Sequence, residues 1–287
     1  MKIEGLYTAL ITPFSNGRVD YGRLKEIVEQ QIAGGVDGIL PTGTTGESPT
    51  LSVEEHLEVI EKVIEFANGR CRIMAGTGAN STEEAVKLTA CAKKMGADSS
   101  LQVTPYYNKP TQEGLYRHFS KIADDCGLPI VLYNVPGRTG TAIAADTVAR
   151  LASNPNVIAL KEAGGSVERV SEVLNLCDIT VMSGDDSLTL PMMSVGAKGV
   201  ISVASNIFPA ELKKMVDFCN AGNFAEGLKI HRKFYKLFKN LFLESNPIPV
   251  KAAMAMLGMI EEEYRLPLCP VSDKIRAILK ATLDELK

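Results

Sequence analysis

Up to residue 222, short apolar runs alternate with stretches whose apolar residues recur at helical spacing. The runs are rich in Val, Ile and Leu and are bounded by Gly, Pro and Thr, which is typical of strands buried on both faces. They predict eight strands, at residues 6–11, 38–41, 72–76, 99–103, 130–133, 157–160, 179–183 and 199–203.

A helical pattern follows each predicted strand, and several helix starts carry clear signals. Asp20, Ser52 and Ser81 precede helical runs, and Glu55 and Glu84 stand three residues after the two serines, which is the spacing of a capping box. The predicted helices lie at residues 20–33, 52–67, 81–95, 112–126, 144–152, 166–176, 186–195 and 209–221.

These eight strand–helix pairs predict an α/β fold, a (β/α)8 TIM barrel over residues 1–222, because strict alternation favours a parallel sheet that right-handed crossovers can close. A doubly wound open sheet is the alternative, but "GTGANS" at 76–81 has serine where a dinucleotide-binding loop needs its third glycine. Residues 223–287 are predicted to form a C-terminal helical extension packed on the barrel, with helices at 224–243, 247–258 and 272–286.

Composition and charge exclude several classes of function. The 287 residues are 45% hydrophobic and 23% charged, and a formal charge of −3 without a Lys/Arg cluster gives no footprint for nucleic acid or an anionic membrane. The N-terminal segment lacks a signal-peptide core, and no apolar run approaches the length of a membrane span. We therefore expect a cytoplasmic protein without nucleic-acid or membrane partners; a plastid protein whose targeting segment has been removed is the alternative.

Cysteines and histidines are too scattered to suggest a metal centre. The chain has six cysteines without a CxxC pair and three widely separated histidines. Without a secretion signal, reduced and mostly buried thiols are expected rather than disulfides. We expect neither a metal nor another cofactor.

One predicted strand ends in a lysine. In "VIALKEAGG", residues 157–165, Lys161 follows four consecutive apolar residues. Most lysines in such a position pack the aliphatic stem and keep the amine in water. The alternative is an amine held among the aliphatic layers of the barrel, where desolvation lowers the lysine pKa from about 10.4. A neutral amine of this kind attacks carbonyl carbon and forms a Schiff base.

Other polar groups are predicted to meet Lys161, because active sites of TIM barrels lie at the C-terminal ends of the strands. Hydroxyls, tyrosines and one arginine follow the predicted strands there. They belong to "PTGTTGES" (41–48), "TPYYNKP" (104–110), "YNVPGRTG" (133–140), "SGDD" (183–186) and "VISV" (200–203).

Each of these groups has a structural and a functional interpretation. Tyr133 either fills the barrel or shuttles protons during imine formation. Thr44 and Thr45 are either turn residues or, with backbone N–H groups, a cradle for a substrate carboxylate. Arg138 either lies in solvent or binds a carboxylate with both nitrogens. The two aspartates of "SGDD" fit capping and loop hydrogen bonds better than a metal site.

The motifs together resemble one family. "GTTGESPTL", "TPYYNKPTQEGLYRHF", "YNVPGRTG", "VIALKEA", "SGDD" and "GVISV" are similar to segments of the 4-hydroxy-tetrahydrodipicolinate (dihydrodipicolinate) synthases, in the superfamily of pyruvate-dependent Schiff-base aldolases. The likeness runs from the N-terminus past residue 270. It implies a (β/α)8 barrel that condenses pyruvate with L-aspartate 4-semialdehyde, the first committed step of the diaminopimelate and lysine pathway.

The resemblance also implies roles for individual residues. It makes Lys161 the residue that forms the imine with pyruvate. The other implied roles are a proton relay of Tyr133, Thr44 and Tyr107, with Tyr107 reaching into the partner subunit's site; a pyruvate-carboxylate site at Thr45; a semialdehyde-carboxylate site at Arg138; and pocket walls at Gly184 and the carbonyl group of Ile201.

Assembly and regulation are implied in the same way. The family is usually a homotetramer built as a dimer of tight dimers, and some members bind L-lysine as a feedback inhibitor at the tight-dimer interface. The matching residues here are Ser48, His56, Asn80, Glu84 and Tyr106. The implied contacts place Glu84 at the α-ammonium, Asn80 and Tyr106 at the carboxylate, and Ser48 and His56 at the side-chain amine.

Two alternatives stay open at this point. An N-acetylneuraminate lyase or a 2-keto-3-deoxy sugar acid aldolase would share the fold, the lysine and the GxTGE-type loop. Arg138 and the tyrosine pair of "TPYYNKP" favour the synthase over both. The alternative from another class is a non-catalytic binding barrel, which the complete set of candidate catalytic residues disfavours.

Overall fold

The computed structural model describes residues 2–286. Buried aliphatic side chains form the strands, as the alternating pattern predicts. The strands are β1 (Gly5–Ala9), β2 (Phe14–Ser15), β3 (Arg18–Val19), β4 (Gly38–Leu40), β5 (Arg72–Gly76), β6 (Ser99–Val103), β7 (Ile130–Asn134), β8 (Val157–Glu162), β9 (Thr180–Ser183) and β10 (Gly199–Ser202).

Eight of these strands close into a parallel barrel. Its order is β1-β10-β9-β8-β7-β6-β5-β4, and β1 pairs with both β10 and β4. The closed order confirms the predicted (β/α)8 TIM barrel and excludes the open-sheet alternative. The two remaining strands, β2 and β3, form a small antiparallel hairpin that the sequence pattern does not predict.

Helices follow the barrel strands and cover the outside of the barrel. They are α1 (Tyr21–Ala33), α2 (Val53–Ala67), α3 (Thr82–Met95), α4 (Gln112–Cys126), α5 (Pro136–Thr139), α6 (Ala145–Ala152), α7 (Glu168–Leu176), α8 (Thr189–Ser194), α9 (Pro209–Asn220), α10 (Phe224–Asn240), α11 (Ile248–Met256) and α12 (Asp273–Asp284).

Helix caps follow the sequence signals. Ser52 begins α2 with a complete capping box: its side chain accepts from the Glu55 N–H, and the Glu55 carboxylate accepts from the Ser52 N–H. At α3, the Ser81 hydroxyl accepts from the Glu84 N–H. These bonds satisfy donors that the first turn of a helix leaves free, which fixes where each helix begins.

Two hydrophobic layers hold the barrel. Inside it, a cluster of buried side chains from successive strands fills the space, and the residues near its upper end are Leu40, Tyr133, Met182 and Ile201. A second, larger cluster lies between the strands and the helices. The barrel is therefore a packed core and not an open channel.

The C-terminal helices pack on the barrel side and on each other. Helix α10 contacts α9 and α8, and α12 contacts both α10 and α11. No helix within residues 2–286 is long and apolar enough to cross a membrane. The six cysteines are unpaired; only Cys126 and Cys219 are buried and Cys269 is exposed, so the expectation of mostly buried thiols is wrong.

Candidate active site

The pairing of β7 with β8 places the two central side chains together. In the parallel register Tyr133 lies opposite Lys161, and Asn134 lies opposite Glu162. Because successive side chains of a strand point to opposite faces, the first pair faces the barrel interior and the second faces outward. The Lys161 Nζ atom lies 4.3 Å from the centre of the Tyr133 ring.

Lys161 is buried, with a residual exposure of 6%. Strand β8 continues through Glu162, so Lys161 is part of the strand and does not follow it, as the predicted end at residue 160 would have it. The pKa of the Lys161 amine is lowered to about 7, mainly by burial; the Asp186 carboxylate opposes this shift and the Arg138 charge adds to it. The usual interpretation, in which the stem packs and the amine stays in water, is therefore wrong for Lys161. A substantial fraction of the amine is neutral near pH 7 and able to act as a nucleophile.

The outward-facing pair, Asn134 and Glu162, explains why β8 extends beyond the apolar run. The Asn134 Nδ2 atom donates to both carboxylate oxygens of Glu162, at 3.0 and 2.9 Å, and the Gly164 N–H donates to Oε1 at 2.6 Å. The Asn134 Oδ1 atom accepts from the Ile143 N–H at 3.0 Å. The sequence analysis does not predict this hydrogen-bonded pair. The signal for it is the polar residue directly after each central residue, Asn134 after Tyr133 and Glu162 after Lys161.

Tyr133 is the phenol nearest to the buried amine. Burial raises the pKa of its hydroxyl, while the Arg138 charge and a hydrogen bond with Thr44 oppose that rise. The phenol is therefore protonated at neutral pH and can donate or relay a proton through Thr44. The structure confirms that Lys161, Tyr133 and Thr44 lie close together, as predicted.

A cavity of about 200 Å³ opens beside Lys161. Its walls come from the ends of several barrel strands, as the fold requires. They include Leu40, Thr44, Thr45, Tyr133, Arg138, Lys161, Gly184, Asp185, Val203, Phe242 and Asn246.

Asn246 is a second residue that sequence reasoning missed. Its side-chain Nδ2 atom donates to the Thr45 hydroxyl at 2.9 Å, and its backbone carbonyl oxygen accepts from the Arg138 Nη2 atom at 3.1 Å. The C-terminal region therefore contributes to the cavity and connects the two predicted carboxylate-binding residues. Only its position in the "SNPIP" break between predicted helices could have pointed to it.

Gly184 and Ile201 differ in their relation to the cavity. A Cβ atom on Gly184 would lie 2.7 Å from the Ala163 Cβ atom and 3.1 Å from the Lys161 Cε atom, so only glycine leaves room for the lysine stem. Ile201 is buried in the interior cluster with Tyr133, and the residue of that strand end whose side chain reaches the cavity wall is Val203. The role of the Ile201 carbonyl group as part of the pocket wall stays a prediction.

Tyr107 lies apart from this cavity. Its side chain is 91% exposed, and its backbone has a φ of +74°, a conformation that residues other than glycine adopt rarely. It contributes to neither cavity of its own chain. A role of Tyr107 at Lys161 therefore requires a site on another subunit.

A second cavity, of about 400 Å³, adjoins the first and shares Thr44 and Arg138 with it. Four of the five residues matched to a lysine site line it: Ser48, His56, Glu84 and Tyr106. The fifth, Asn80, is not part of the wall and supports it, since its Nδ2 atom donates to the Tyr106 carbonyl oxygen at 3.1 Å.

His56 has a defined role in the wall of the second cavity. The His56 Nε2 atom lies 2.7 Å from the Gly76 carbonyl oxygen, so this nitrogen carries the hydrogen and donates it. Burial lowers the pKa of the imidazole. The ring is therefore neutral near pH 7 and leaves Nδ1 as a hydrogen-bond acceptor.

The two aspartates of "SGDD" make loop hydrogen bonds. Asp185 accepts from the Ser187 N–H, and the buried Asp186 carboxylate accepts from the Ser202 hydroxyl and from the N–H groups of Val203 and Ala204. Residues 2–286 contain no group of three acidic, histidine or cysteine side chains suited to a metal ion.

A desolvated lysine at the end of a barrel strand, beside a phenol and a hydroxyl, defines the class of Schiff-base-forming lyases and aldolases. The model of the "Dihydrodipicolinate synthetase family" matches residues 2–286. The chain belongs to this family. A 4-hydroxy-tetrahydrodipicolinate synthase of Hydrogenobaculum sp. is 52% identical over 284 residues, which cover 97% of this chain and 98% of the relative.

Solved structures show the same likeness. The 4-hydroxy-tetrahydrodipicolinate synthase of Methylacidiphilum fumariolicum SolV is 51% identical with a TM-score of 0.98, over 99% of this chain and 96% of that one. The chloride-inhibited enzyme of Acinetobacter baumannii, complexed with pyruvate, is 45% identical with a TM-score of 0.98, over 99% of both chains. The enzyme of Cyanidioschyzon merolae with lysine bound is 42% identical with a TM-score of 0.95, over 99% of this chain and 98% of that one.

Proposed function

We propose that this protein condenses pyruvate with L-aspartate 4-semialdehyde to give 4-hydroxy-tetrahydrodipicolinate, through an imine on Lys161. The observation that carries the proposal is the buried Lys161 amine facing the Tyr133 ring in a cavity of substrate size. Full-length relatives about half identical to this chain, named for this activity, support the choice of substrates.

The first half of the reaction uses the amine and the phenol. The neutral Lys161 Nζ atom attacks the C2 carbonyl carbon of pyruvate, and the oxygen leaves as water after receiving protons that Tyr133 and Thr44 relay. The Thr45 hydroxyl and neighbouring backbone N–H groups hold the pyruvate carboxylate. The resulting iminium draws electrons from C3, so loss of a C3 proton gives an enamine.

The second half joins the two substrates. The Arg138 guanidinium binds the semialdehyde carboxylate, and the enamine C3 atom attacks the aldehyde carbon. The amino group of the added substrate then attacks the iminium carbon, closes the ring and releases the Lys161 amine. Every bond made to Lys161 is broken again, so the lysine is regenerated.

Competing substrates test the choice within the class. Turnover of pyruvate with L-aspartate 4-semialdehyde is compared with cleavage of N-acetylneuraminate and of 2-keto-3-deoxygluconate by the same preparation. We expect the condensation to be fastest, and Arg138→Leu to lower its kcat/KM for the semialdehyde by about ten- to a hundredfold, the value of one charge-assisted contact. Faster cleavage of either sugar acid would assign the protein to a sugar-acid aldolase.

We also propose L-lysine as an inhibitor bound in the second cavity. The neutral His56 Nδ1 atom and the Ser48 hydroxyl are suited to the side-chain ammonium, and the Glu84 carboxylate to the α-ammonium. The shared Thr44 and Arg138 give a direct route from this cavity to the catalytic one. The related Cyanidioschyzon merolae structure with lysine bound supports this part of the proposal.

The position of Tyr107 bears on how the protein assembles. We propose that the active unit is at least a dimer in which the exposed Tyr107 completes the proton relay of the neighbouring subunit. A homotetramer, a dimer of two such dimers, is the assembly that the family leads us to expect. The division into a barrel over residues 1–222 and a helical region over 223–287 is proposed as a description of one packed unit, since α10 and α11 lie against barrel elements.

A further inference from the structure

The structure contains one fully buried ion pair, among the residues it describes, that the reaction does not use. The Lys251 Nζ atom lies 2.5 Å from the Glu47 Oε1 atom, and neither side chain is exposed to solvent. The two residues are 204 positions apart, in the C-terminal helix α11 and in the loop after β4. Burying two charges costs several kcal/mol per ion before their attraction is counted, so such a pair is a weak source of stability.

The surroundings of the pair are arranged to hold both charges. The Lys251 Nζ atom lies 4.3 Å from the centre of the Phe14 ring and 5.2 Å from that of Tyr264. The Arg265 N–H donates to the Glu47 Oε2 atom at 3.4 Å. Two aromatic faces and a second donor thus compensate for the missing water around each ion.

The pair is attached to the substrate-binding loop. Glu47 ends the turn that carries Thr44 and Thr45, and its N–H donates to the Thr44 carbonyl oxygen at 3.1 Å. Its backbone is in the left-handed region, with a φ of +54°, which is unfavourable for a side chain of this size. Thr50 donates to the Glu47 carbonyl oxygen from within the loop, and the Lys251 ammonium, from outside the loop, is the ion-pair partner of the Glu47 side chain.

The same C-terminal segment holds the loop at a second point. Asn246, five residues before Lys251, donates to the Thr45 hydroxyl at 2.9 Å. The loop proposed to bind the pyruvate carboxylate is therefore held by the C-terminal region at two points, Thr45 by Asn246 just before α11 and Glu47 by Lys251 within it.

We propose that the buried Glu47–Lys251 pair is a positioning device that holds Thr44 and Thr45 in the conformation that binds the pyruvate carboxylate. The inference rests on the proposed function and assigns Glu47 and Lys251 as positioning residues of the same site. It predicts a loss of affinity for pyruvate that is separate from any loss of folding, because the loop is correctly shaped only while Glu47 is held.

Steady-state kinetics of single variants give the first test. We expect Glu47→Gln and Lys251→Met each to raise the KM for pyruvate about tenfold, while the KM for the semialdehyde, which Arg138 binds, changes by less than about twofold. The matched control is Glu285→Gln, which breaks the exposed Lys236–Glu285 pair of the same C-terminal region and should leave both KM values unchanged.

The double variant separates positioning from folding. Glu47→Gln combined with Lys251→Met leaves no unpaired buried charge, so it should melt at a higher temperature than either single variant. We expect its KM for pyruvate to stay raised, because a neutral pair does not hold the loop. A double variant with wild-type KM for pyruvate, or one that does not fold, would show that the pair serves the fold alone and would overturn the proposal.

Imine trapping distinguishes this proposal from the proposed function. Borohydride is added to the unaltered protein with pyruvate, and labelling at Lys161 tests the function. The double variant is then compared with the unaltered protein at limiting pyruvate and with acetaldehyde, which has no carboxylate. We expect weaker labelling with pyruvate and equal labelling with acetaldehyde; an equal loss with both compounds would contradict a role in carboxylate binding.

Discussion

At the scale of single residues, the chemistry depends on where one amine lies. Lys161 and Lys251 are both buried lysines, and burial lowers the pKa of each. Lys251 is locked to a carboxylate at 2.5 Å, whereas Lys161 faces a cavity and the Tyr133 ring. Burial alone therefore does not make a nucleophile; a free approach to the amine is also needed.

The pH dependence of imine formation follows from the pKa of Lys161. The amine must be neutral to attack, so kcat/KM for pyruvate should rise with pH, reach half its limit near pH 7 and level off above it. If the lysine had an ordinary pKa of about 10.4, kcat/KM for pyruvate would still be rising at pH 9. Steady-state kinetics between pH 5.5 and 9.5, in buffers of constant ionic strength, provide the measurement, and a rise that continues to the upper limit would contradict the assignment.

At the scale of elements, the strand ends determine which side chains meet. The parallel register of β7 and β8 sets Tyr133 against Lys161, and the Asn134–Glu162 hydrogen bonds hold that register from the outer face. A site built on paired strand ends is rigid, which suits a reaction that needs the amine, the phenol and the substrate in line.

Much of this arrangement could be predicted from the sequence, and the exceptions have physical causes. The predicted strands 72–76 and 99–103 coincide with β5 and β6, since their apolar runs end in clear turn residues. The predicted helix 186–195 is instead a short 3-10 turn followed by α8, because Pro191 has no N–H to donate and fits only the first turn of a helix.

The candidate site, too, could be predicted from the sequence only in part. Lys161, Tyr133 and Thr44 could be placed together because parallel strand ends always share one mouth. Asn246 and Lys251 could not, since their contacts with the loop after β4 span about two hundred residues and leave no periodic signal. Arg138 lies in the one-turn helix α5, which Pro136 begins and which the apolar pattern does not predict.

Replacing Gly184 tests the geometry of a strand end. Gly184→Ala adds a Cβ atom 2.7 Å from the Ala163 Cβ atom and 3.1 Å from the Lys161 Cε atom, so the lysine stem must shift. We expect a loss of about 1–3 kcal/mol in unfolding free energy, and a fall in kcat of about a hundredfold. Chemical denaturation and steady-state kinetics measure the two effects.

The matched control for this substitution is Gly137→Ala. A Cβ atom at Gly137 meets nothing within 4 Å, and the backbone there is not left-handed. We expect near-normal stability and turnover. Equal losses in the two variants would mean that the close approach of Gly184 to Lys161 is unimportant.

At the scale of the whole molecule, two features point beyond one chain. Tyr107 is exposed and lines neither cavity of its own chain, although its neighbour Tyr106 lines the second cavity. Exposed aromatic side chains with a strained backbone are typical of contact and functional regions. Both the proton relay and the response to lysine are therefore proposed to depend on assembly.

Mixing two inactive variants tests the shared site. Tyr133→Phe removes a residue of the chain's own site, and Tyr107→Phe removes the residue proposed to act in the neighbouring site. A dimer with one chain of each kind has one complete site, so unfolding and refolding the mixture should recover about a quarter of the wild-type activity. No recovery, with mixed dimers shown by native mass spectrometry, would place Tyr107 in its own chain's site.

Lysine binding is tested on α3. Glu84 lines the second cavity, whereas its neighbour Glu83 is paired with Lys87 and is not part of the cavity wall. We expect Glu84→Gln to weaken L-lysine binding about tenfold by calorimetry, the lower end of a charge-assisted contact, and Glu83→Gln to leave it unchanged. Equal affinities in both variants would show that the cavity does not recognise an α-ammonium through Glu84.

Covalent trapping tests directly whether Lys161 forms an imine with pyruvate. The protein is incubated with pyruvate, reduced with borohydride, digested and analysed by peptide mass spectrometry, with Lys251 as the internal comparison because it is equally buried but paired. We expect a reduced pyruvate adduct on Lys161 and none on Lys251, together with loss of activity in step with labelling. An active protein without an adduct, or an adduct confined to another lysine, would contradict this expectation.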